Sequence, residues 1–186
     1  MSTSTPHDVH PELAELSLPV EDEARAYKAR YVLAAARIAI GWVFLWAFLD
    51  KTFGLGFATA REDAWINGGS PTFGFLNFAT EGKLFHDFFA SLSGPAADWL
   101  FMIGLLGIGL ALILGIGMRI ATVSGVTLLM LMWAAELPLE NNPFMDDHVV
   151  YAVALVALTL YGAGRYVGLG KAWERLPLVQ RLPWLK

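Results

Sequence analysis

The chain has 186 residues, 56% of them hydrophobic, a formal net charge of −4 and no cysteine. An ordinary soluble domain is roughly 45–50% apolar. The missing thiols exclude disulfides, thiolate metal sites, iron–sulfur clusters and a protein-thiol redox relay.

Residues 1–22 hold Ser, Thr, Pro and several acids but no apolar run, so they read as a disordered cytoplasmic tail rather than a signal peptide. Four apolar stretches follow, and a bilayer core of roughly 30 Å needs about 20 helical residues to cross it. The first is Tyr31–Leu49, interrupted only by Arg37. The second, Trp99–Gly117, carries no charge; Gly94-Pro95 opens it, with Pro at an N1-like position and Asp98 on the favourable end of the helix dipole. The third runs from Ile120 to Leu137, with Glu136 near its end. The fourth, Val149–Gly164, is short and is expected to continue past Arg165, whose side chain snorkels to the headgroups. The second and third stretches are apolar all round, unlike the one-faced helices of a soluble bundle. The expected fold is therefore an all-α membrane protein, a four-helix transmembrane bundle with an amphipathic, aromatic-rich outer loop over residues 50–98. Residues 23–170 form the membrane domain, and residues 171–186 a basic, Trp- and Pro-containing cytoplasmic tail.

The distribution of basic residues orients the chain. Nine Lys and Arg fall before the first span, in the turn after the second, or in the C-terminal region, and three fall on the opposite side. The expected setting is a bacterial inner (plasma) membrane, multi-pass, with N- and C-termini cytoplasmic. Small residues spaced by four, Gly107, Ala111 and Gly115 on the second span and Ala121 and Gly125 on the third, predict close helix packing.

The 50–98 loop is too long for a simple connection and too rich in Phe and Trp to be freely solvated. Leu84, Phe85, Phe88, Phe89 and Leu92 share one helical face and predict a short amphipathic helix at the interface. Asn67-Gly68-Gly69-Ser70-Pro71 reads as a turn or hinge. The loop either caps the bundle or roofs a pocket that admits a flat apolar head group such as a quinone.

Ionisable groups in or beside a span are functional candidates, because placing them there is costly. Arg37 either snorkels or meets a buried acceptor. Asp50 and Lys51 close the first span, and Trp42, Trp46 and Asp50 share one of its faces. Glu136 closes the third span; Asp146, Asp147 and His148 open the fourth, with Tyr151 one turn further in. Lys51 suits an anion, whereas Glu136 and His148 suit proton transfer. Without an HxxxH spacing, no metal is expected.

The run Arg37-Ile-Ala-Ile-Gly41-Trp-Val-Phe-Leu-Trp46 followed by Asp50-Lys51 resembles the first-helix signature of the DoxX/DoxD family. Gly109 to Gly115, Arg119-Ile-Ala121 and Gly125 resemble its second and third helices; His148, Tyr151, Gly162-Ala-Gly164-Arg165 and Gly168-Leu169 resemble its last helix and tail. One departure is Gly170, where the family pattern has an acid. The family comprises small four-helix membrane proteins, one branch forming the large subunit of thiosulfate:quinone oxidoreductase. The resemblance implies quinone-linked oxidation of a small sulfur anion, with Arg37, Lys51, His148 and Arg165 at the matching polar positions. Combined with the rim, it gives Lys51, Glu136 and His148 as catalytic candidates and Arg37, Trp46, Asp50, Tyr151 and Arg165 as substrate-binding candidates. Quinone is then a substrate; membrane lipids, a redox partner subunit and a second copy are the expected partners, and nucleic acid is not. The outer side carries ten acids against three bases, a field that repels a dianion such as thiosulfate at long range. A non-catalytic anchor within a redox complex is the alternative, and a small cation transporter a third reading.

Overall fold

The computed structural model describes residues 20–186, and every regular element among them is helical. The tail expected over residues 1–22 lies almost wholly outside the described residues.

Helix α1, Val20–Phe53, is longer than the apolar stretch inside it. The charged segment from Asp22 to Arg30 continues the same helix toward its N-terminus. At 1.5 Å per residue α1 extends about 51 Å, enough to leave its charged turns outside a core of roughly 30 Å. Two short turns, a 3₁₀ turn at Trp65–Asn67 and a π-type turn at Gly74–Ala79, and helix α2, His86–Ser91, lie in the following loop. Helix α3, Pro95–Leu114, starts with Pro95 in its first turn, as the Gly-Pro pair predicts. It ends where Gly115 turns left-handed (φ 74°). Helix α4, Met118–Ala135, and helix α5, Asp147–Leu160, follow. After a 3₁₀ turn at Ala163–Arg165, the C-terminal region forms helices α6, Gly170–Glu174, and α7, Pro177–Arg181, and a last turn at Pro183–Leu185.

Three helices, α1, α3 and α4, are long and apolar enough to cross a membrane. The fourth apolar helix, α5, has 14 residues, about 21 Å. The expected continuation past Arg165 is not found. The helix stops at Leu160, and Gly162 takes a left-handed conformation (φ 66°). The chain then folds back so that Gly164 packs on Met118 and on the Gly115 carbonyl.

Neighbouring helices pack in a ring: α1 on α3, α3 on α4, α4 on α5, and α5 back on α1. Their shared interior holds Ile40, Phe44, Met102, Leu105, Ile108, Leu112, Leu129 and Leu155. Many side chains pointing outward are also large and apolar, among them Trp42, Trp99, Leu100, Ile103, Val123, Val153 and Leu160. An aqueous surface disfavours such a girdle and lipid accommodates it.

The close contacts of α3 follow the predicted stripe at Gly115, where a Cβ would run into the Arg37 guanidinium and the Gly164 carbonyl, but not at Gly107. A Cβ on Gly107 would meet nothing within 4 Å, whereas one on Gly109 would lie 2.8 Å from the Leu45 amide nitrogen. A Cβ on Gly41 would lie 2.8 Å from that of Leu112. Gly41 and Gly109 thus set the α1–α3 approach. Gly125 faces Leu155 across α4 and α5, as small-residue packing predicts. Gly170 sits where any side chain would run into the Gly115 carbonyl oxygen, 2.6 Å from a built Cβ. An acid at that position has no room.

Candidate functional site

Two buried carboxylates fasten the long loop to the helix ends. Asp50 is 1% exposed, and its two oxygens accept from the amides of Phe57 (3.3 Å) and Ala58 (3.0 Å). The Phe57 ring then stacks edge-on against Trp46, with centroids 5.2 Å apart, and Trp46 stacks on Trp42. On α3, Asp98 Oδ1 accepts from Ser70 Oγ (2.8 Å), the Thr72 amide (3.0 Å) and Thr72 Oγ1 (2.6 Å). The Asn67–Pro71 segment therefore ends on a fixed point. Each carboxylate is desolvated but bonded, which is what makes its burial tolerable.

The amphipathic segment forms helix only from His86 to Ser91. Phe89 turns inward and joins Leu76 and Phe75 against Ala134 and Ala135 at the end of α4, while Phe85, Phe88, Leu84 and Leu92 stay exposed. The loop therefore both caps the helix ends and presents an apolar face outward. Its rings abut the residues immediately before Glu136.

Glu136 ends α4, and Asp146 caps α5 by accepting the Val149 amide at 3.2 Å. The turn between them is ordered by Asn142 Oδ1, which accepts the amides of Phe144 and Met145, both at 3.0 Å. His148 Nδ1 lies 2.7 Å from Asp146 Oδ2, with side chains only 13% and 16% exposed. Glu136, Asp146 and His148 each place a donor atom within 4.8 Å of the others. Burial raises the Asp146 carboxyl pKa, but its bonds to His148 and to the Val149 amide outweigh that and hold it below its ordinary value. The carboxylate fixes the imidazole so that Nε2 is left for another partner. Two carboxylates and an imidazole are also a donor set that suits a divalent cation.

The remaining candidates lie elsewhere. Lys51 is half-buried, its ammonium 5.9 Å from the centre of the Phe101 ring. Tyr151 packs half-buried against the helix core. Arg37 is fully buried, donating to the carbonyls of Gly164 (3.4 Å) and Val167 (2.5 Å), while its Nε has no partner. It meets buried acceptors and does not snorkel. Arg165 bonds through Nε to both oxygens of Glu174, at 2.9 and 3.0 Å. Arg37 and Arg165 therefore belong to the end of α5 opposite His148. The structure gathers Glu136 with His148 and Trp46 with Asp50, and it leaves the two arginines apart from both. It also pairs Thr122 with Thr159 across α4 and α5 (2.5 Å). Sequence reasoning passed over that pair, although two hydroxyls in apolar helices were a visible signal.

Fold and site together define a class, the all-helical proteins with several helices able to cross a membrane, compatible with an integral membrane protein. No family model, no curated protein and no solved structure matches the chain.

Proposed function

We propose that this is a multi-pass membrane subunit with four crossings, α5 being the fourth, that binds a quinone head group at the loop-covered end. The observation that carries the reading is the His148–Asp146 pair with Glu136 beside it, Glu136 directly following the Ala134 and Ala135 on which Phe75 and Phe89 pack. A quinone needs a flat apolar slot and a hydrogen-bond donor at its carbonyl, and its reduction needs protons. Aromatic rings supply the slot, His148 in its imidazolium form donates through Nε2 while Nδ1–H stays on Asp146, and Glu136 is an exchange group toward the surface.

The resemblance to the DoxX/DoxD family extends the reading to a redox complex in which a small sulfur compound such as thiosulfate supplies the electrons. Half-buried Lys51 is then the cation that holds the anion against an acidic surround, and a partner subunit completes the electron path. Positive-inside orientation puts the loop outside a bacterial inner membrane and both termini in the cytoplasm.

Titrating a short-chain quinone into the purified chain while following tryptophan fluorescence tests the reading. Saturable quenching that weakens at least tenfold in His148→Ala supports it. Quenching that never saturates, or that is the same in the variant, rejects it and leaves the anchor role. That second reading draws on the exposed Leu176, Leu178 and Trp184 of the C-terminal region, an apolar surface for a partner protein.

A further inference from the structure

The end of the helices opposite His148 carries a cavity of about 210 Å³ between the start of α4, the end of α5 and the C-terminal region. Its lining includes Arg119, Arg165 and Lys186 against Glu174 and the main-chain carboxylate of Lys186, with Trp173 among them. The C-terminal region is folded onto the helices to make this wall. The Arg119 amide donates to a main-chain carboxylate oxygen of Lys186 (2.9 Å), Arg119 Nη1 to the Pro183 carbonyl (2.9 Å), and Trp173 Nε1 to the Leu185 carbonyl (2.7 Å). Glu174 takes only Nε of Arg165. The outer nitrogens of Arg165, Nη2 of Arg119 and the Lys186 ammonium have no protein partner among the described residues.

The lip of the cavity is apolar. Leu160 lines it and is 81% exposed; Val156 and Val153, one and two turns back on the same face of α5, are 42% and 64% exposed. A hydrophilic anion would use the basic floor and leave this stripe bare. A molecule with a phosphate head and an aliphatic tail fits both.

We infer that this cavity binds the headgroup of an anionic phospholipid, its phosphate among Arg119, Arg165 and Lys186 and its acyl chains along Leu160, Val156 and Val153. Basic pockets between membrane helices bind such headgroups, and each Lys or Arg near the surface contributes about 1 kcal/mol, roughly fivefold in affinity. The site is independent of the quinone reading, because it shares no residue with the opposite end.

The test reconstitutes the full chain in nanodiscs of equal phosphatidylglycerol and phosphatidylcholine and reads retained lipid by native mass spectrometry. Phosphatidylglycerol should be retained in preference, about fivefold less in Lys186→Gln and in Arg119→Gln, and unchanged in Arg181→Gln, which lies outside the cavity. Lys186→Gln keeps the test decisive if Arg119→Gln loosens the Pro183 contact. Equal retention of both lipids, or an equal loss in Arg181→Gln, overturns the assignment. Displacement of the lipid by millimolar inorganic phosphate also overturns it, since that identifies a site for free anions.

Discussion

Arg37 and Val167 are 130 residues apart in sequence and are joined by a 2.5 Å hydrogen bond from a guanidinium that no solvent reaches. The same guanidinium reaches the Gly164 carbonyl, so one side chain of α1 ties down the turn after α5. Replacing it with Met removes both bonds and leaves two carbonyls unpaired inside the protein. Hydrogen bonds to a charged group contribute roughly 1.5–3 kcal/mol each, less when the unfolded reference is also in lipid. Arg37→Met should lower stability by about 3 kcal/mol, read as a fall in melting temperature in detergent. Arg37→Lys should recover less than half, because a point ammonium lacks the planar fork that spans two acceptors.

The loop staples give a second expectation. Asp50→Asn keeps one acceptor where two amides donate, and Asp98→Ala removes the one oxygen that accepts from Ser70 and Thr72. Each should cost about 1–3 kcal/mol of loop stability. Hydrogen exchange should rise across residues 54–80 while α3 and α4 stay protected. Faster exchange throughout all helices would mean that the carboxylates support the core and not the loop.

Glycine substitutions separate packing from appearance. Gly109→Ala drives a methyl against the Leu45 backbone and should destabilise by about 1–3 kcal/mol. Gly107→Ala enters open space and should be neutral or stabilise by up to about 1 kcal/mol through helix propensity. Thermal unfolding of the two variants side by side checks the order.

Acid should act on α5 at its cap. The folded Asp146 carboxyl has a depressed pKa, so its contribution is fully present above the ordinary carboxylate value near 3.9 and is lost as pH falls through the lower folded value. Stability measured from neutral pH down to about 4 should therefore show no Asp146-dependent loss. Asp146→Asn should remove the drop seen below that range, and a difference between wild type and variant that grows between pH 7 and 5 would contradict the assignment.

The helices were legible because each is a run of apolar residues closed by a residue with a mechanical reason: Pro95 opening α3, Gly115 ending it, Asp146 capping α5. The grouping of Glu136 with His148 was legible as the end of one apolar stretch and the start of the next. What stayed hidden depends on partners with no spacing signal. Asp50 and Asp98 bind backbone amides and hydroxyls of a loop whose path no periodicity encodes. The close α1–α3 approach rests on Gly41 and Gly109, a pair on two helices, whereas a four-residue stripe shows only what one helix offers. The end of α5 is hidden for a related reason, since Gly162 and Gly164 fall inside the fourth apolar stretch and nothing in their spacing shows that the chain folds back over Gly115.

A crossing by α5, as proposed, sets the loop-covered rim and the basic cavity on opposite sides of the membrane. The natural chain has no cysteine, so a single introduced thiol reports one position cleanly. We would place one at Asn141, in the turn before α5, and one at Gln180, in α7, and label intact cells and lysed membranes with a membrane-impermeant maleimide. If α5 crosses, Asn141→Cys is labelled in intact cells and Gln180→Cys only after lysis. Labelling of both positions from the same side would show that α5 does not cross and would contradict the proposal.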